Sequence, residues 1–298
     1  MISVHRTVLL NETIEGLNLK NGAIVLDATF GGGGHSREIC ERYKNVKIIA
    51  IDQDASAFKK AEHKWKGCDC DITFVNANFR EIGDLKKFEN QSMVDGIIFD
   101  LGLSSDQLEN AGRGFSFLKD EPLLMTMKEN PSEEDLTAMD IVNTWSEKSL
   151  ADIIYGYGQE MYRGRIAKAI VEERKKSKIK TTFGLVRIIE KVVPASYKRG
   201  RLHFATKTFQ ALRIAVNDEL GALHDGLEKG FKFLKSGGRM SVISFHSLED
   251  RIVKKFYKEK EKEGLAKLIN KKPIIASDEE LKINNRSRSA KLRVLEKI

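Results

Sequence analysis

Four consecutive glycines directly after a short apolar run limit most strongly what this chain can fold into. Residues 23–28 read AIVLDA, Gly31–Gly34 follow, and residues 36–43 have the apolar spacing of a helix. A strand, a glycine loop and a helix in this order are typical of the first turn of a parallel α/β sheet, where the backbone approaches a nucleotide closely. The pattern predicts a nucleotide site, and a glycine turn that binds no ligand is the alternative.

Strand-like and helix-like segments then alternate along the chain. Further apolar runs lie at 46–52, 72–75 and 94–100, and residues 55–66 have helical character. Continuous apolar strands that alternate with helices indicate a parallel sheet covered by helices on both faces. We therefore expect an α/β fold.

Carboxylates end three of these predicted strands. Asp27, Asp52 and Asp100 follow the first, second and fourth apolar runs, and the carboxyl ends of parallel strands meet at one edge of a sheet. Asp52 lies 21 residues after Gly31, close to the ~20-residue offset at which such an acid bonds ribose hydroxyls. Burying several carboxylates together without a nearby lysine or arginine costs free energy, unless a ligand supplies hydrogen-bond donors. We expect a ligand at this edge.

The loop sequence narrows the choice of ligand. It is not a clean G-x-G-x-x-G, and the chain contains no G-x-x-x-x-G-K-[ST], which argues against a P-loop kinase or ATPase. Asp27, just before the loop, would repel a pyrophosphate. A ligand with a cationic end suits it better, and S-adenosylmethionine carries both a sulfonium and an amino group.

The pattern changes after the fourth predicted strand. Residues 106–204 contain little that reads as a buried strand, so we expect a helical insertion there. A long helix at 208–234 and a strand at 239–245 should follow it, and then a charged helix at 251–270. The remaining predicted segments are helices at 146–154, 164–176 and 182–192, the last with Thr181 and Thr182 as its cap, and late strands at 273–276 and 290–295 that would form an antiparallel edge.

Composition excludes several classes of protein. With 298 residues, 41% hydrophobic and 32% charged, the chain is not a disordered, collagenous or small disulfide-rich protein. It has no apolar run of ~18 residues and no signal-peptide pattern at its start, so we expect a cytoplasmic protein without membrane association. The odd number of cysteines (Cys40, Cys68 and Cys70), without zinc-site spacing, leads us to expect neither a disulfide nor a structural metal.

Charge is distributed unevenly. The formal net charge of +8 combines −10 for residues 1–161, +10 for 162–201, 0 for 202–250 and +8 for 251–298. Two basic blocks on an otherwise acidic chain are typical of a protein that binds a polyanion. Solvated helix faces are the alternative.

His246 follows the strand predicted at 239–245, in the segment SFHSLEDR. It would either start a helix, with Ser247 as the cap and Asp250 at the third helical position, or contact the substrate. The chain contains neither G-x-S-x-G nor H-E-x-x-H, so hydrolase and zinc-protease functions lack support.

Seven ordered blocks resemble one family, the MraW-type methyltransferases, which use S-adenosylmethionine to methylate the N4 amine of a cytosine in bacterial 16S ribosomal RNA. The blocks run nearly from end to end: HRTVLLNETIEGL, DATFGGGGHS, DGIIFDLGLSSDQL, RGFSF, TFQALRIAVNDEL, ISFHSLEDRIVK and NRSRSAKLRV. A different methyltransferase branch would not contain both SFHSLEDR and RGFSF.

The resemblance implies a Rossmann-like class I methyltransferase with a seven-stranded, mostly parallel sheet and an inserted all-helical domain. Residues 1–108 plus 205–298 would form the methyltransferase domain, and residues 109–204 would form the insertion and recognise RNA. The partner would be 16S rRNA, within the small ribosomal subunit. A homodimer remains open, and no metal is implied.

The resemblance also implies site residues. S-adenosylmethionine would contact Gly33, Gly34, His35, Asp52, Phe79, Asp100 and Gln107. Asp52 would take the ribose hydroxyls, Phe79 would lie against the adenine, and Asp100 would face the methionine end or the incoming amine. Asp100 is also the catalytic candidate, because a hydrogen-bond acceptor favours pyramidalisation of the conjugated amine and accepts its developing positive charge.

Candidate substrate residues follow from the same resemblance. The contacts expected for RNA are Arg113, His246, Arg286 and Arg288. A phenylalanine would assist the target base out of its stack, although core packing is the ordinary role for at least two of the three candidates, Phe115, Phe117 and Phe245.

The chain departs from the family pattern at three places. Residues 123–128 read LLMTMK where the family usually has LDMRMD, so a polar role of this loop is in doubt. Lys207 replaces an arginine, which keeps the charge but loses bidentate geometry, and residues 284–289 read NNRSRS in place of NPRARS. Two alternatives follow: a non-catalytic ribosome-assembly factor that binds RNA, or a methyltransferase of the same fold with another substrate.

Overall fold

The computed structural model describes residues 6–62, 65, 70–83 and 93–298. The chain forms two compact units. Met1–Gly102 and Leu220–Ile298 make up the first, which we call the sheet unit, and Leu103–Glu219 make up the second, which we call the helical unit. No helix of the described residues is long and apolar enough to cross a bilayer.

A seven-stranded sheet organises the sheet unit, in the order β3-β2-β1-β4-β5-β7-β6. The first five strands in this order are parallel, and β7 is antiparallel to both of its neighbours. The expected seven-stranded, mostly parallel sheet is therefore confirmed. The strands are β1 (Ile24–Asp27), β2 (Lys47–Asp52), β3 (Asp71–Asn76), β4 (Val94–Asp100), β5 (Leu234–Ser244), β6 (Ala266–Leu268) and β7 (Lys291–Lys297).

Helices cover both faces of the sheet because successive strand residues point to opposite sides. Val25 and Ile98 lie in one buried cluster with residues of α1, α2 and α3. Leu26 and Ile97 lie in another, with residues of α11 and α12. The helices are α1 (Leu10–Leu17), α2 (Gly34–Arg42), α3 (Ala55–Glu62), α11 (Glu219–Phe233), α12 (Ser247–Lys262) and α13 (Asp278–Ile283).

The helical unit has its own apolar core, in which Leu150, Ile166, Leu185 and Leu212 are fully buried. Thr181 caps the helix that begins at Thr182, as predicted. The helices are α4 (Ser105–Asn110), α5 (Ala138–Thr144), α6 (Glu147–Gly156), α7 (Arg163–Arg174), α8 (Thr182–Val192), α9 (Ala195–Lys198) and α10 (Thr206–Asn217).

The prediction of a single helix at 208–234 is wrong. The helix is interrupted at Asp218, which adopts φ 45° and ψ 45°. Aspartate tolerates this left-handed conformation better than most residues. Asn217 stabilises the break, since its side chain accepts from Met127 N at 2.8 Å and donates to Met125 O at 2.8 Å. Two helices, α10 and α11, result.

This break also moves the boundaries of the inserted unit. The expected insertion was 109–204, whereas the compact unit runs from Leu103 to Glu219. The difference arises because Phe209 and Leu212 of α10 are buried in the core of the helical unit.

The C-terminal segment differs from expectation as well. The charged helix ends at Lys262 rather than at 270, and Gly264 follows it with φ 72°. A strand was expected at 273–276, but this stretch contains only an isolated bridge between Ile274 and Leu292. Residues 266–268 instead form the edge strand β6.

A disulfide joins Cys40 and Cys70, with 5.7 Å between their Cα atoms. The expectation of no disulfide is therefore wrong. Both cysteines pack against the same buried cluster, the one that holds Ile39 and Val46. That neighbourhood is a product of the tertiary fold, which cysteine counting does not reveal. Cys68 and the predicted helix positions 63, 64 and 66 lie outside the described residues.

Candidate functional site

The three strand-end acids share one edge of the sheet. β2, β1 and β4 are parallel neighbours that end at Asp52, Asp27 and Asp100. Each of the outer two carboxylates interacts electrostatically with Asp27. The structure therefore brings together the acids that the sequence placed at separate strand ends.

Asp27 links the first strand to the helix after the glycine loop. Its carboxylate accepts a hydrogen bond from Ser36 Oγ at 2.6 Å and another from Thr29 N at 3.3 Å. Burial raises the pKa of Asp27 to about 6, against the opposing effect of these two bonds. Asp27 thus fixes the loop and adds negative charge beneath it.

Asp52 holds the start of the glycine loop. Its two carboxylate oxygens accept from Gly31 N at 2.7 Å and from Asp54 N at 2.8 Å. Burial raises the pKa of Asp52 to about 6, although these bonds oppose the shift. A carboxylate oxygen has two lone pairs, so each oxygen retains capacity to accept from a hydroxyl.

Gly33 and Gly34 are required by the backbone around them. Gly33 has φ 72°, and a Cβ there would lie 2.6 Å from the ring of Phe30. A Cβ on Gly34 would lie 1.8 Å from Thr7 Oγ1. The absence of side chains lets the chain turn directly into α2, whose N-terminus favours a negatively charged group.

His35 and Asp100 lie next to each other behind this loop. His35 Nε2 is 3.2 Å from Val8 O, and His35 Nδ1 is 3.8 Å from Asp100 Oδ2. A carbonyl oxygen can only accept a hydrogen bond, so Nε2 carries the proton in that contact. The Nδ1 edge of the ring therefore faces the carboxylate.

One carboxylate oxygen of Asp100 is buried and accepts no hydrogen bond from the described residues. Its side chain is 26% exposed, yet Oδ1 is buried and has no hydrogen-bond partner among the described residues. Thr29 Oγ1 accepts from the Asp100 backbone N–H at 2.6 Å and fixes the end of β4. Burial, followed by the negative charges of Asp27 and Glu249, raises the pKa of Asp100 to about 8.

Phe79 presents a ring directly after β3. It lies in a 3-10 helix, Phe79–Glu81, and packs edge-on against Phe99 with 5.5 Å between the ring centroids. Gly226 lies beneath it, where a Cβ would come within 2.7 Å of the ring. The ring is only partly buried, so it offers an apolar surface to a flat ligand.

His246 is itself the N-cap of α12, and Glu249 occupies the third helical position. Glu249 Oε2 accepts from Phe245 N at 2.8 Å and from His246 N at 3.1 Å. The expected cap at Ser247 with Asp250 as its partner is therefore wrong. Asp250 instead pairs with Arg293 at 2.7 Å and with Lys291 at 3.2 Å.

A cavity of about 290 Å³ opens beside this turn. Its lining includes Phe245, His246, Ser287, Arg288 and Lys291. Arg288 is exposed, so its charge is accessible to a ligand. The expected substrate residues His246 and Arg288 thus share one cavity, whereas Arg286 is not among its lining residues.

The remaining predicted residues belong to the helical unit. Gln107 lies on α4 and closes a capping box with Ser104, from whose backbone N–H its Oε1 accepts at 3.0 Å. Arg113 is buried, and its Nη1 donates to Met127 O at 3.0 Å and to Lys128 O at 2.6 Å. Arg113 therefore supports the loop whose sequence departs from the family pattern.

Two of the three candidate aromatic residues serve as packing. Phe115 is buried in the helical core, and Phe117 packs against that core and stacks on His203 with ring centroids 4.4 Å apart. Phe245 instead lines the cavity beside α12.

Sequence reasoning missed the residues that orient the acids. Thr29 and Ser36 bond Asp100 and Asp27, and Glu249 contributes charge near Asp100. Ser36 and Glu249 both stand in quoted motifs, DATFGGGGHS and ISFHSLEDRIVK. The sequence signal that could have identified these two residues is a hydroxyl or carboxylate side chain near the start of a predicted helix.

Comparisons with known proteins agree with one another. Residues 2–298 match the family described as the MraW methylase family. The chain is 44% identical over 310 residues to "Ribosomal RNA small subunit methyltransferase H" of Brevibacillus brevis, covering 99% of this chain and 98% of the relative. It is 46% identical over 310 residues to the protein of the same name from Clostridium botulinum (strain Kyoto / Type A2), covering 99% of each.

Among solved structures, an rRNA methylase from Streptococcus thermophilus is similar at 11% identity, with a TM-score of 0.43, over 96% of this chain and 92% of that chain.

Proposed function

This chain belongs to the MraW methylase family, and on that premise we propose that it transfers a methyl group from S-adenosylmethionine to the N4 amine of a cytidine in 16S ribosomal RNA. The observation that carries the proposal is the buried Oδ1 of Asp100, at the sheet edge beside the glycine loop, which has no hydrogen-bond partner among the described residues. Such an atom is costly unless a donor meets it. An amine of the cofactor or of the substrate is a donor of the required kind.

The residues at this edge fit S-adenosylmethionine. Asp52 has acceptor capacity for the two ribose hydroxyls, and Phe79 offers a partly exposed ring to the adenine. The N-terminus of α2, which begins at Gly34, would favour the carboxylate of the cofactor. The carboxylates of Asp27 and Asp100 would balance the cationic sulfonium and ammonium groups.

S-adenosylmethionine supplies an electrophilic methyl group for a single in-line displacement. The protein mainly has to align the amine lone pair with that methyl group, and no covalent enzyme intermediate is required. Asp100 Oδ1 would accept a hydrogen bond from the amine and stabilise the positive charge that develops on it. Once ionised, the same carboxylate would take the proton that the amine loses.

Ribosomal RNA would contact the chain at several basic positions. The cavity beside α12 offers Arg288 for a phosphate and Phe245 for an apolar contact with a nucleoside, and Arg286 lies close to it in sequence. We place the helical unit, with its +10 block at 162–201, in RNA recognition. Gln107 would complete the cofactor site, and Arg113 would act through the loop at 123–128.

The small ribosomal subunit is the proposed form of the substrate, which would put the enzyme in the cytoplasm. Association of two copies is also part of the proposal, and sedimentation at several protein concentrations tests it.

Methyl transfer to unmodified small subunits tests the main proposal. Labelled S-adenosylmethionine is incubated with subunits that lack the modification, and the RNA is digested for nucleoside mass spectrometry. We expect a new N4-methylated cytidine. Cofactor binding without any transfer would contradict the assigned substrate, and absence of cofactor binding would contradict the methyltransferase function.

A further inference from the structure

The helical unit contains a second cavity, of about 260 Å³, along α8 and the segment that precedes it. We call it the α8 cavity. Its charged lining consists of four cations, Lys178, Lys180, Arg187 and Lys191, and one acid, Glu173. The whole cavity belongs to the helical unit.

The fold turns all four cations toward solvent. Arg187 and Lys191 are four residues apart on α8, so they share one face of the helix. Lys178 and Lys180 flank Ile179, which is 4% exposed and packs into the helical core. Burial of Ile179 anchors the segment, while the lysines on either side stay exposed.

Hydrogen bonds fix the segment that carries the two lysines. Asn143 Nδ2 donates to Ile179 O at 2.8 Å, and Asn143 Oδ1 accepts from Ile179 N at 2.9 Å. Leu123 N donates to Lys180 O at 3.0 Å. The cavity is therefore preorganised, which lowers the entropic cost of binding a ligand.

Only one of these four charges has an acidic neighbour within the described part of the chain: Lys191 interacts electrostatically with Glu173. None of the four cations makes an ion pair there, whereas Lys168 and Lys198 of the same basic block pair with Glu172 and Glu190. The one lining acid, Glu173, is bonded to Lys176 at 3.1 Å. Four like charges around one cavity repel one another, so a polyanion is the ligand that would stabilise them.

We propose that the α8 cavity binds phosphodiester groups of the RNA substrate. This inference rests on the proposed function, in which that substrate is ribosomal RNA. The described lining residues include no aromatic side chain, so the cavity is suited to the RNA backbone rather than to stacked bases. The N-terminal end of α8 adds its favourable interaction with negative charge.

A pair of matched double variants tests the proposal. Arg187→Gln with Lys191→Gln removes two lining charges, and Lys148→Gln with Lys168→Gln removes two charges of the same unit that are paired with Asp152 and Glu172. Affinity for small ribosomal subunits is measured across a range of KCl concentrations. Melting temperature and turnover at saturating subunit concentration are recorded for each protein.

We expect the cavity variant to bind about 10-fold more weakly at 0.1 M salt and to show a salt slope shallower by about 1.5, since each lost phosphate contact removes roughly 0.7–0.9 from that slope. Its melting temperature should be unchanged or higher, and its turnover at saturation should be retained. The control variant should keep the wild-type slope. Equal losses in both variants would overturn the proposal.

The result is separable from the proposed function. If wild-type protein methylates the subunits but both double variants bind alike, the α8 cavity is excluded and the methyltransferase function stands. If wild-type protein transfers no methyl group but the cavity variant alone loses affinity, the phosphate site stands and the proposed function fails.

Discussion

His35 Nδ1 lies 3.8 Å from Asp100 Oδ2, in a contact that is largely closed to solvent. The other ring nitrogen of His35, Nε2, donates a hydrogen bond to Val8 O. In the neutral ring, the lone pair of Nδ1 therefore faces the carboxylate. The lone pair and the carboxylate repel each other, and a proton on Asp100 relieves the repulsion. A cationic ligand placed against Asp100 would serve the same purpose, which connects the site's proton content to ligand binding.

Replacing Asp100 should remove activity without unfolding the protein. In the Asp100→Asn variant we expect methyl transfer to fall by at least about 100-fold, because the stabilising negative charge is lost. Asp100→Ala should abolish turnover. The measurement is label transfer to small subunits at saturating cofactor, and a rate near wild type in either variant would remove Asp100 from the mechanism.

The pH dependence of stability should report the same carboxylate. Its folded-state pKa, about 8, lies above the ordinary value of 3.8, so ionisation disfavours the fold as pH rises through this window. We expect the free energy of unfolding of Asp100→Asn, relative to wild type, to increase between pH 5 and 8, by at most about 1.4 kcal/mol per pH unit. Urea unfolding at several pH values measures it. A pH-independent difference would contradict the raised pKa.

Cofactor binding should release protons near pH 7.5. Asp27 and Asp52, with pKa values of about 6, are largely ionised at that pH, whereas Asp100 is not. A bound cation favours the ionised form of Asp100 and displaces its proton. Calorimetry of S-adenosylmethionine binding in two buffers of different ionisation enthalpy detects the release, which Asp100→Asn should lack. Equal heats in both buffers for the wild type would argue against this coupling.

The contribution of the glycine loop to cofactor binding can be tested with Gly33→Ala, using a glycine of similar backbone conformation, Gly22, as the control. Gly33→Ala places a Cβ against Phe30 at φ 72°, whereas Gly22→Ala has φ 78° but no atom within 4 Å of its Cβ. Both should lose about 1–3 kcal/mol of stability from backbone strain, but only Gly33→Ala should also weaken S-adenosylmethionine binding. Chemical unfolding and calorimetry separate the two effects. Equal affinities would show that the loop does not shape the cofactor site.

The disulfide should contribute to stability. The Cys40–Cys70 bond joins residues 30 apart in the sequence, and closing a loop of that size constrains the unfolded chain by roughly 3–4 kcal/mol. We expect reductant or Cys40→Ser to lower the free energy of unfolding by this order, measured by urea titration. Cys68→Ser is the control and should retain the sensitivity to reductant. A wild-type unfolding curve that reductant does not move would contradict the bond.

The sequence predicted the parts of the site that depend on local pattern. The offset between Gly31 and Asp52 indicated an acid near the loop, and the structure joins these residues by a direct hydrogen bond. The strand-end position of Asp100 was likewise visible as the last residue of an apolar run. The sequence could not show that Asp100 Oδ1 has no hydrogen-bond partner among the described residues, because the tertiary fold decides which groups surround it.

Features set by long-range contacts escaped prediction. The helix break at Asp218 depends on bonds from Asn217 to a distant loop, while the local apolar spacing continues smoothly. The disulfide depends on the packing of α2 near the start of β3. At α12, Glu249 rather than Asp250 completes the cap, because Asp250 is held by Arg293 and Lys291.

The interrupted sheet unit constrains the order in which the chain assembles during synthesis. Asp100 pairs with Ile243 across the β4–β5 ladder, and the entire helical unit lies between them in sequence. The helical unit is continuous and has its own core, so it can fold while β5 is still unmade. The strand that ends at Asp100 therefore gains its neighbour β5 only after the whole helical unit has been synthesised.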